Sequence, residues 1–545
     1  MTDTATLAAP EESGTANKHL GLALLVICAA QLMVVLDSTI ANIALPHIRD
    51  DLHISQGNLQ WVVTGYALAF GGLLLLGGRA GDLYGRRMVF ISGLVLFAVA
   101  SALGGFAQNE GMLLSSRALQ GVGAAMASPS ALALITTNFP AGPLRNRAFS
   151  IFAMLSGVGA AIGLLLGGWL TGSDIGSVHG WRLTFFINVP IGLIAAFLAT
   201  RVLSESEKSK NSLDVFGALT VTLGLVAIVY GVEHGGVPDA NGVTHWGSAQ
   251  TLSCLIVGAV LLVAFFVVER QVKHPLLPIR ILASRTRGVA FLTMFIVPAA
   301  MFAMFYFLSQ FIQNVMGYTP LQAGLAFMPF PFAMVFGAII SSKLVAKVDP
   351  RFISGTGTAL AGLALFMFSR IHVDDSATNL IAKTGQWVNG GMGSLHINGV
   401  NYWTQIFPYI AVMAFGMALT FIPMMLTALH GVDERDAGVG SGVLNTAQQL
   451  GGALGLAILS TIAVNAISNK AHALIQLLPA GHSGALTPVQ QSASPVGQAA
   501  FTHGSTTAFL VGAFMMWGAS AILWLLLNVK HSEIQGDHTA PGAMA

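Results

Sequence analysis

Charge is what this chain has least of. Asp, Glu, Lys and Arg supply 9% of its 545 residues, while 54% are hydrophobic. A soluble domain carries about 25% charged residues, so the composition excludes a water-soluble globular protein and places the chain in a bilayer. The net charge of +2 is too small to draw a nucleic acid. Two cysteines, Cys28 and Cys254, lie in separate apolar runs, which rules out a disulfide framework and a clustered thiolate metal site. No Gly-x-x-x-x-Gly-Lys-Ser/Thr loop occurs, so direct ATP drive has no seat. Neither His-Glu-x-x-His nor Gly-x-Ser-x-Gly is found, and a hydrolytic enzyme is poorly supported. Residues 1–18 lack the basic start and cleavage pattern of a signal peptide, so the first span is expected to stay in the mature protein.

Long apolar runs are what the chain has most of. A span needs roughly 20 mostly apolar residues. That rule predicts fourteen, near 20–46, 57–78, 88–108, 111–137, 148–171, 183–202, 213–233, 251–269, 288–314, 320–343, 352–370, 405–429, 438–466 and 505–529. The basic residues test the count. Of 25 Lys and Arg, Arg49, Arg182, Arg370, Lys383 and Lys470 fall on one side, Arg117 falls inside a span, and the other 19 share the opposite side. The excess marks the cytoplasmic face, so both termini are expected there. Two long loops, 371–404 and 467–504, are rich in small polar residues and are expected to be ordered in part at best.

Among the acids, Asp37 is the one the sequence places well inside a span, in Leu36-Asp37-Ser38-Thr39-Ile40-Ala41-Asn42. A carboxylate at bilayer depth costs at least ~2.5–3.5 kcal/mol and marks an ion path, a proton relay or a ligand site. Protonation is the cheapest way to lower that cost. A carboxyl that takes up and releases a proton inside a membrane is what a proton-coupled transporter needs.

The chain also reads as two similar halves. Gly123 to Pro129, a charged loop with Arg145 and Arg147, and a Gly-rich span form one copy. Gly416 to Pro423, the loop Asp433-Glu434-Arg435-Asp436, and another Gly-rich span form its partner. Parallel halves with the site between them are a common transporter plan. The expected division is a tail at 1–18, a six-helix half at 19–202, two linker spans at 203–287, a second six-helix half at 288–529 and a tail at 530–545. In the fifth span Gly159, Gly163 and Gly167, followed by Gly168, form a stripe that lets helices approach closely. The Gly-x-Gly at Gly157 and Gly159 is no nucleotide site, because no strand precedes it.

Between the second and third spans runs Gly78-Arg79-Ala80-Gly81-Asp82-Leu83-Tyr84-Gly85-Arg86-Arg87. Its glycines permit a tight turn. Asp82 suits a helix start or an arginine, and Arg86 and Arg87 suit an acid or a helix C-terminus of the other half. A plain basic topology anchor is the alternative. The loop resembles the signature of the major facilitator superfamily, with Ala80 and Leu83 departing from it. The segments Leu36 to Pro46, Arg117-Ala118-Leu119-Gln120-Gly121, Trp181 to Gly192, Gln313 to Pro320 and Asn445 to Gly452 are similar to those of its fourteen-span drug:proton antiporter branch. The resemblance implies an all-α integral membrane fold of two six-helix halves plus two central helices. It also implies efflux of drug-like compounds by proton antiport, and it puts proton coupling on Asp37 and Arg117.

An arginine beside a carboxylate favours its ionised form, and its departure favours the protonated one. A moving Arg117 would therefore switch Asp37, whereas a static buried pair would not. The fifth span lacks the Gly-Pro of the antiporter motif and reads Gly163-Leu164-Leu165-Leu166-Gly167-Gly168, so proton symport, or export of one endogenous metabolite, stays open. Fifteen of the 21 Met follow residue 290. They suit either adaptable apolar binding or ordinary packing. Candidate polar groups for a central cavity are Gln31, Asn42, Tyr66, Tyr306, Gln310, Gln313, Asn445, Gln448 and Gln449. With Asp37 as the one deep acid, neutral or singly charged amphipathic substrates fit better than multivalent cations. No enzyme activity, cofactor or metal is expected, and the drive is the proton motive force. A monomer in the cytoplasmic membrane is expected, with lipid, protons and the substrate as partners.

Overall fold

A backbone in hydrocarbon has no water to bond, so each crossing segment must close its own hydrogen bonds, and helices do so. The computed structural model describes all residues except 1–12, 141, 207, 209–212, 240–241, 273–274, 278–283, 377–378, 381, 384–398, 433–436, 477–493 and 537–545. About half of the two long loops, and the whole of Asp433-Glu434-Arg435-Asp436, lie outside the described residues, while 467–475 and 495–504 belong to helices. No strand forms among the described residues, beyond one isolated bridge between Ile175 and Val178.

The first half holds α1 (Ser13–Leu52), α2 (Trp61–Tyr84), α3 (Arg86–Gly105), α4 (Glu110–Asn138), α5 (Pro143–Thr171), α6 (Gly180–Phe186) and α7 (Asn188–Val202). The linker pair is α8 (Val215–Gly236) and α9 (Ala249–Gln271). Then follow α10 (Arg285–Asn314), α11 (Pro320–Ala326), α12 (Pro329–Leu344), α13 (Pro350–Ser369), α14 (Phe407–Leu429), α15 (Ala437–Ile475), α16 (Pro495–Leu526) and the short α17 (His531–Gly536). Thirteen helical stretches of the described residues are long and apolar enough to cross a membrane, and the 29-residue α5 takes the remaining place in a fourteen-span order.

Several expected boundaries move. The first helix runs through Pro46 to Leu52, and the last begins at Pro495 rather than near 505. These ends are helical without being apolar, so a hydropathy window misses them. Ser494 accepts the N–H of Gly497 and Pro495 stands at the first position, where its missing donor costs nothing. The sixth and tenth spans each divide in two, close to Pro190 and at Pro329, where proline removes a ladder bond.

The repeat appears as packing. On α4, a side chain at Gly123 would strike the Phe97 nitrogen and the Gly93 oxygen of α3. On α14, one at Gly416 would stand 2.4 Å from the Gly357 oxygen of α13. Each half therefore joins two helices through facing glycines one span apart. Each half also ties its trailing segment to the start of its third helix. Glu205 accepts the N–H groups of Arg87 and Met88 at the head of α3. His531 donates to Asp349, the residue before α13, at 2.9 Å. Hydrogen bonds from His531 hold the Asp349 carboxyl below its usual range.

Call the end of the bundle carrying residues 78–87 the loop end. At the opposite, far end the halves lock through backbone. A Cβ on Gly168 would lie 2.5 Å from the Pro320 oxygen, and one on Gly324 would lie 2.3 Å from the Leu164 oxygen. Ser309 donates to the Asn42 carbonyl at 2.9 Å, and Gln313 to that of Ile43 at 3.0 Å. Between them α2 runs along α15, with Gly71 against Gln449 and Leu450. In the linker pair, α8 touches both of these helices, through Gly72 on Thr222 and Gly236 on Thr461. By contrast α9 has the most apolar span of all and the least buried, at 17%, as expected of a helix facing lipid.

Close contacts of this kind predict a sharp size limit. Gly451→Ala would place a methyl 2.0 Å from the Phe295 oxygen of α10, whereas Gly65 has open space around it. Overpacking typically costs about 1–3 kcal/mol. Thermal unfolding of purified protein is expected to start several degrees lower for Gly451→Ala and to be unchanged for Gly65→Ala.

Candidate functional site: a buried ion pair behind a cavity

Asp37 and Arg117 meet. The Arg117 Nη1 lies 2.6 Å from the Asp37 Oδ2, with both side chains buried. A buried pair survives only if its remaining donors and acceptors are matched, and both Asp37 oxygens and two of the three guanidinium nitrogens are. The other Asp37 oxygen accepts from Gln120 of α4 at 2.9 Å and from Asn188 of α7 at 3.0 Å. Arg117 also donates Nε–H to the Val62 carbonyl of α2 at 2.8 Å and Nη1–H to Gln120 at 2.9 Å. Gln120 donates onward to Ser101 of α3 at 2.7 Å. The guanidinium stacks on the Tyr66 ring at 4.5 Å, with Phe185 of α6 at 5.8 Å.

Gln120 and Asn188 belong to segments already singled out in the sequence, but neither carried a role there. Nothing in the sequence signals Ser101. Glycine places the pair: Gly163 and Gly167 let α5 settle on Thr39 and Ile40 of α1, and Gly159 on Leu32 and Val35. Gly168 points elsewhere, to α11.

In front of the pair lies a cavity of about 130 Å³ between the halves, lined by Gln31, Val34, Val35, Ser38, Tyr66, Phe70, Ser128, Asn445 and Gln449. Four of the nine cavity candidates thus converge. Tyr66 touches both cavity and Arg117, and its hydroxyl finds no hydrogen-bond partner among the described residues. Pockets for drug-sized ligands run to about 300–1,000 Å³, so the halves must part to load one.

The other five candidates lie elsewhere. Asn42 donates to Ser38 within α1. Gln448 faces the Met294 sulfur at 3.5 Å. Gln310 bonds Gln56 at 3.0 Å, Gln313 bonds α1, and Tyr306 is buried beside Phe307. These three sit at the far end. The C-terminal methionines mostly fill the second half: Met294, Met304, Met413, Met417, Met424 and Met516 are fully buried, and none lines the cavity.

Loop 78–87 turns at Gly85, whose φ of 108° favours glycine, and Glu205 occupies the space a Cβ would need. Asp82 pairs with Arg86 at 3.1 Å. Arg86 also reaches the C-terminal turn of α4 through the Ala133 carbonyl at 3.4 Å, and Arg87 reaches the Thr200 carbonyl of α7. Both are helix C-terminal carbonyls, as charge demands, but they belong to the same half rather than the other one. Gly81 faces Ser130 and Gly78 faces Pro129, again on α4. Arg79 reaches past its own half, to the Pro275 carbonyl beyond α9.

Asp37 is also not the only buried acid. Glu233 near the end of α8 and Glu269 near the end of α9 are buried as well. Glu269 accepts the N–H groups of Leu276 and Leu277 and caps that turn.

The profile of the family described as Major Facilitator Superfamily matches residues 27–456. The chain is similar to the puromycin resistance protein of Streptomyces alboniger, 37% identical over 514 residues that cover 93% of this chain and 91% of that one. It is similar to the cephamycin export protein of Amycolatopsis lactamdurans, 36% identical over 81% of this chain and 84% of the other. A bacterial homologue of the human lysosomal transporter Spinster, solved inward-facing and unoccupied, shares the fold, with a TM-score of 0.63 at 17% identity over 96% of this chain and 99% of that one.

Removing one partner of a buried pair strands the other charge and typically costs about 3–5 kcal/mol, while replacing both costs far less. Arg117→Met is therefore expected to lower the melting temperature of purified protein more than the double change Asp37→Leu/Arg117→Met. A double change that costs as much as Arg117→Met or more would mean that Arg117→Met strands no costly charge at Asp37.

Proposed function

The chain belongs to the major facilitator superfamily, and from that premise we propose that it exports neutral or singly charged amphipathic drug-like compounds across the cytoplasmic membrane in exchange for protons. It is a carrier rather than an enzyme, and it needs no cofactor beyond the proton gradient. Relatives named for puromycin resistance and cephamycin export support export of antibiotic-like molecules. Tyr66 carries the mechanism: it lines the cavity and stacks on the arginine that neutralises Asp37.

Substrate entering from the loop end displaces the Tyr66 ring and so seats Arg117 on Asp37. When Arg117 moves away, the carboxyl gains a proton; when it returns, the proton leaves. Protonation state and conformation are thereby linked, as alternating access requires. The energy suffices. A charge crossing ~150 mV yields about 3.5 kcal/mol at roughly 2.3 per 100 mV. At about 1.4 kcal/mol per decade, one proton sustains a gradient of roughly 300-fold for a neutral compound.

Substrate added to everted vesicles is expected to release protons, and Asp37→Asn to abolish that release while substrate binding to the purified protein persists. Unchanged release in Asp37→Asn would remove Asp37 from the coupling. A second reading, export of one metabolite made by the same cell, is favoured by the relative named for cephamycin export. A susceptibility panel in a pump-deficient host, with and without a protonophore, separates the two: resistance to several unrelated compounds marks a multidrug carrier, and resistance to one marks a dedicated exporter.

A further inference from the structure

Glu233 has no part in the exchange described so far. It stands in the last turn of α8 and is 6% exposed. Its carboxylate accepts a hydrogen bond from the indole N–H of Trp61, the first residue of α2. Among the described residues, the surrounding elements offer it no counter-charge of its own. Glu110 of α4 is a second acid, bonded to Asn58 at 2.8 Å. Arg49 of α1 is held by Asp50 at 2.8 Å. On α15, Thr461 and Asn465 meet the neighbouring Gly236, and on α10 the nearby group is the Tyr306 phenol. The adjacent His234 stacks between Tyr230 and His245, and His245 faces Asp239 at 3.5 Å.

The contrast with Asp37 is chemical. Asp37 has a guanidinium and two amide donors, a setting made for an anion. Glu233 has one neutral indole donor, and a buried carboxyl so placed carries its proton at little cost and its charge at a high one.

The two acids are also joined. Trp61 donates to Glu233, and the next residue, Val62, accepts from the Arg117 Nε at 2.8 Å. Adjacent residues in the first turn of α2 therefore serve both, Trp61 through its indole and Val62 through its backbone carbonyl. Beyond α2, α8 reaches α15 at Gly236, three residues from Glu233. A change of charge at Glu233 thus acts on helices of both halves.

We propose that Glu233 is a second proton-binding carboxyl, set in the linker pair and coupled to Asp37 and Arg117 through Trp61 and Val62. Its role in transport rests on the proton-exchange reading; its binding of a proton does not.

Infrared difference titration of the purified full chain in lipid nanodiscs reads protonated carboxyl groups with no substrate present. Wild type is expected to show a titrating carboxyl band that Glu233→Gln removes and that Asp37→Asn retains with its midpoint moved. Trp61→Phe keeps the carboxyl and is expected to move the same midpoint, and it decides the question if Glu233→Gln does not fold. A spectrum unchanged by Glu233→Gln overturns the proton site. A band that Asp37→Asn leaves unmoved overturns the coupling, and one that Trp61→Phe leaves unmoved overturns its assignment to Glu233. In vesicles, Glu233→Gln is expected to release fewer protons per substrate without abolishing release. Intact release in Asp37→Asn would fail the exchange reading at Asp37 alone and leave the Glu233 band to stand or fall on its own spectrum.

Discussion

Six helices converge on one carboxylate. Asp37 on α1 draws Arg117 and Gln120 from α4 and Asn188 from α7, and through them Ser101 of α3, Val62 and Tyr66 of α2, and Phe185 of α6. A charge in hydrocarbon cannot be left to solvent, so its partners must arrive from whichever helices stand nearest. That demand orients α1, α2, α4 and α7 relative to each other more tightly than apolar contact could, because hydrogen bonds tolerate little displacement. The cavity borrows its rear wall from this cluster.

The second half is organised differently. Among its described residues no buried side chain of α10–α16 is charged. Its core is aromatic and methionine-rich, with hydroxyl contacts such as Thr358 to Thr420 at 3.1 Å in place of ion pairs. One half thus carries the buried ion pair and the other an apolar core packed with aromatics and methionine. Their contact is made of glycines and carbonyls at the far end and of α2 against α15 along the length. Lipid offers no hydrophobic drive for helices to associate, so close backbone approach and specific polar bonds have to do so. Such contacts are short-ranged and specific.

The linker pair divides its labour. The outer α9 presents apolar surface to lipid, while α8 lies on the seam between the halves and brings Glu233 to the head of α2. Two spans inserted between similar halves therefore do more than lengthen the chain: one of them touches both halves.

Fourteen apolar runs, the uneven distribution of Lys and Arg, and the glycine stripe of α5 were legible in the residues, since each is a local property of composition or spacing. So were the deep carboxyl of Asp37 and the arginine of the fourth span, though not their contact. The partners were not. Gln120 and Asn188 stand 83 and 151 residues from Asp37, and no spacing rule reaches that far. The same distance hid Glu205, which holds α3 from 118 residues away. Glu233 sat at an expected span end, where an acid ordinarily faces water, and only the packing of α8 on α2 buried it. Tyr306, Gln310 and Gln313 illustrate the converse: polar residues on an apolar helix point inward in either case, but whether inward means a cavity or a seam depends on which helix stands opposite. Local chemistry is written along a chain, whereas the company a side chain keeps is set by how helices cross, and that belongs to the fold.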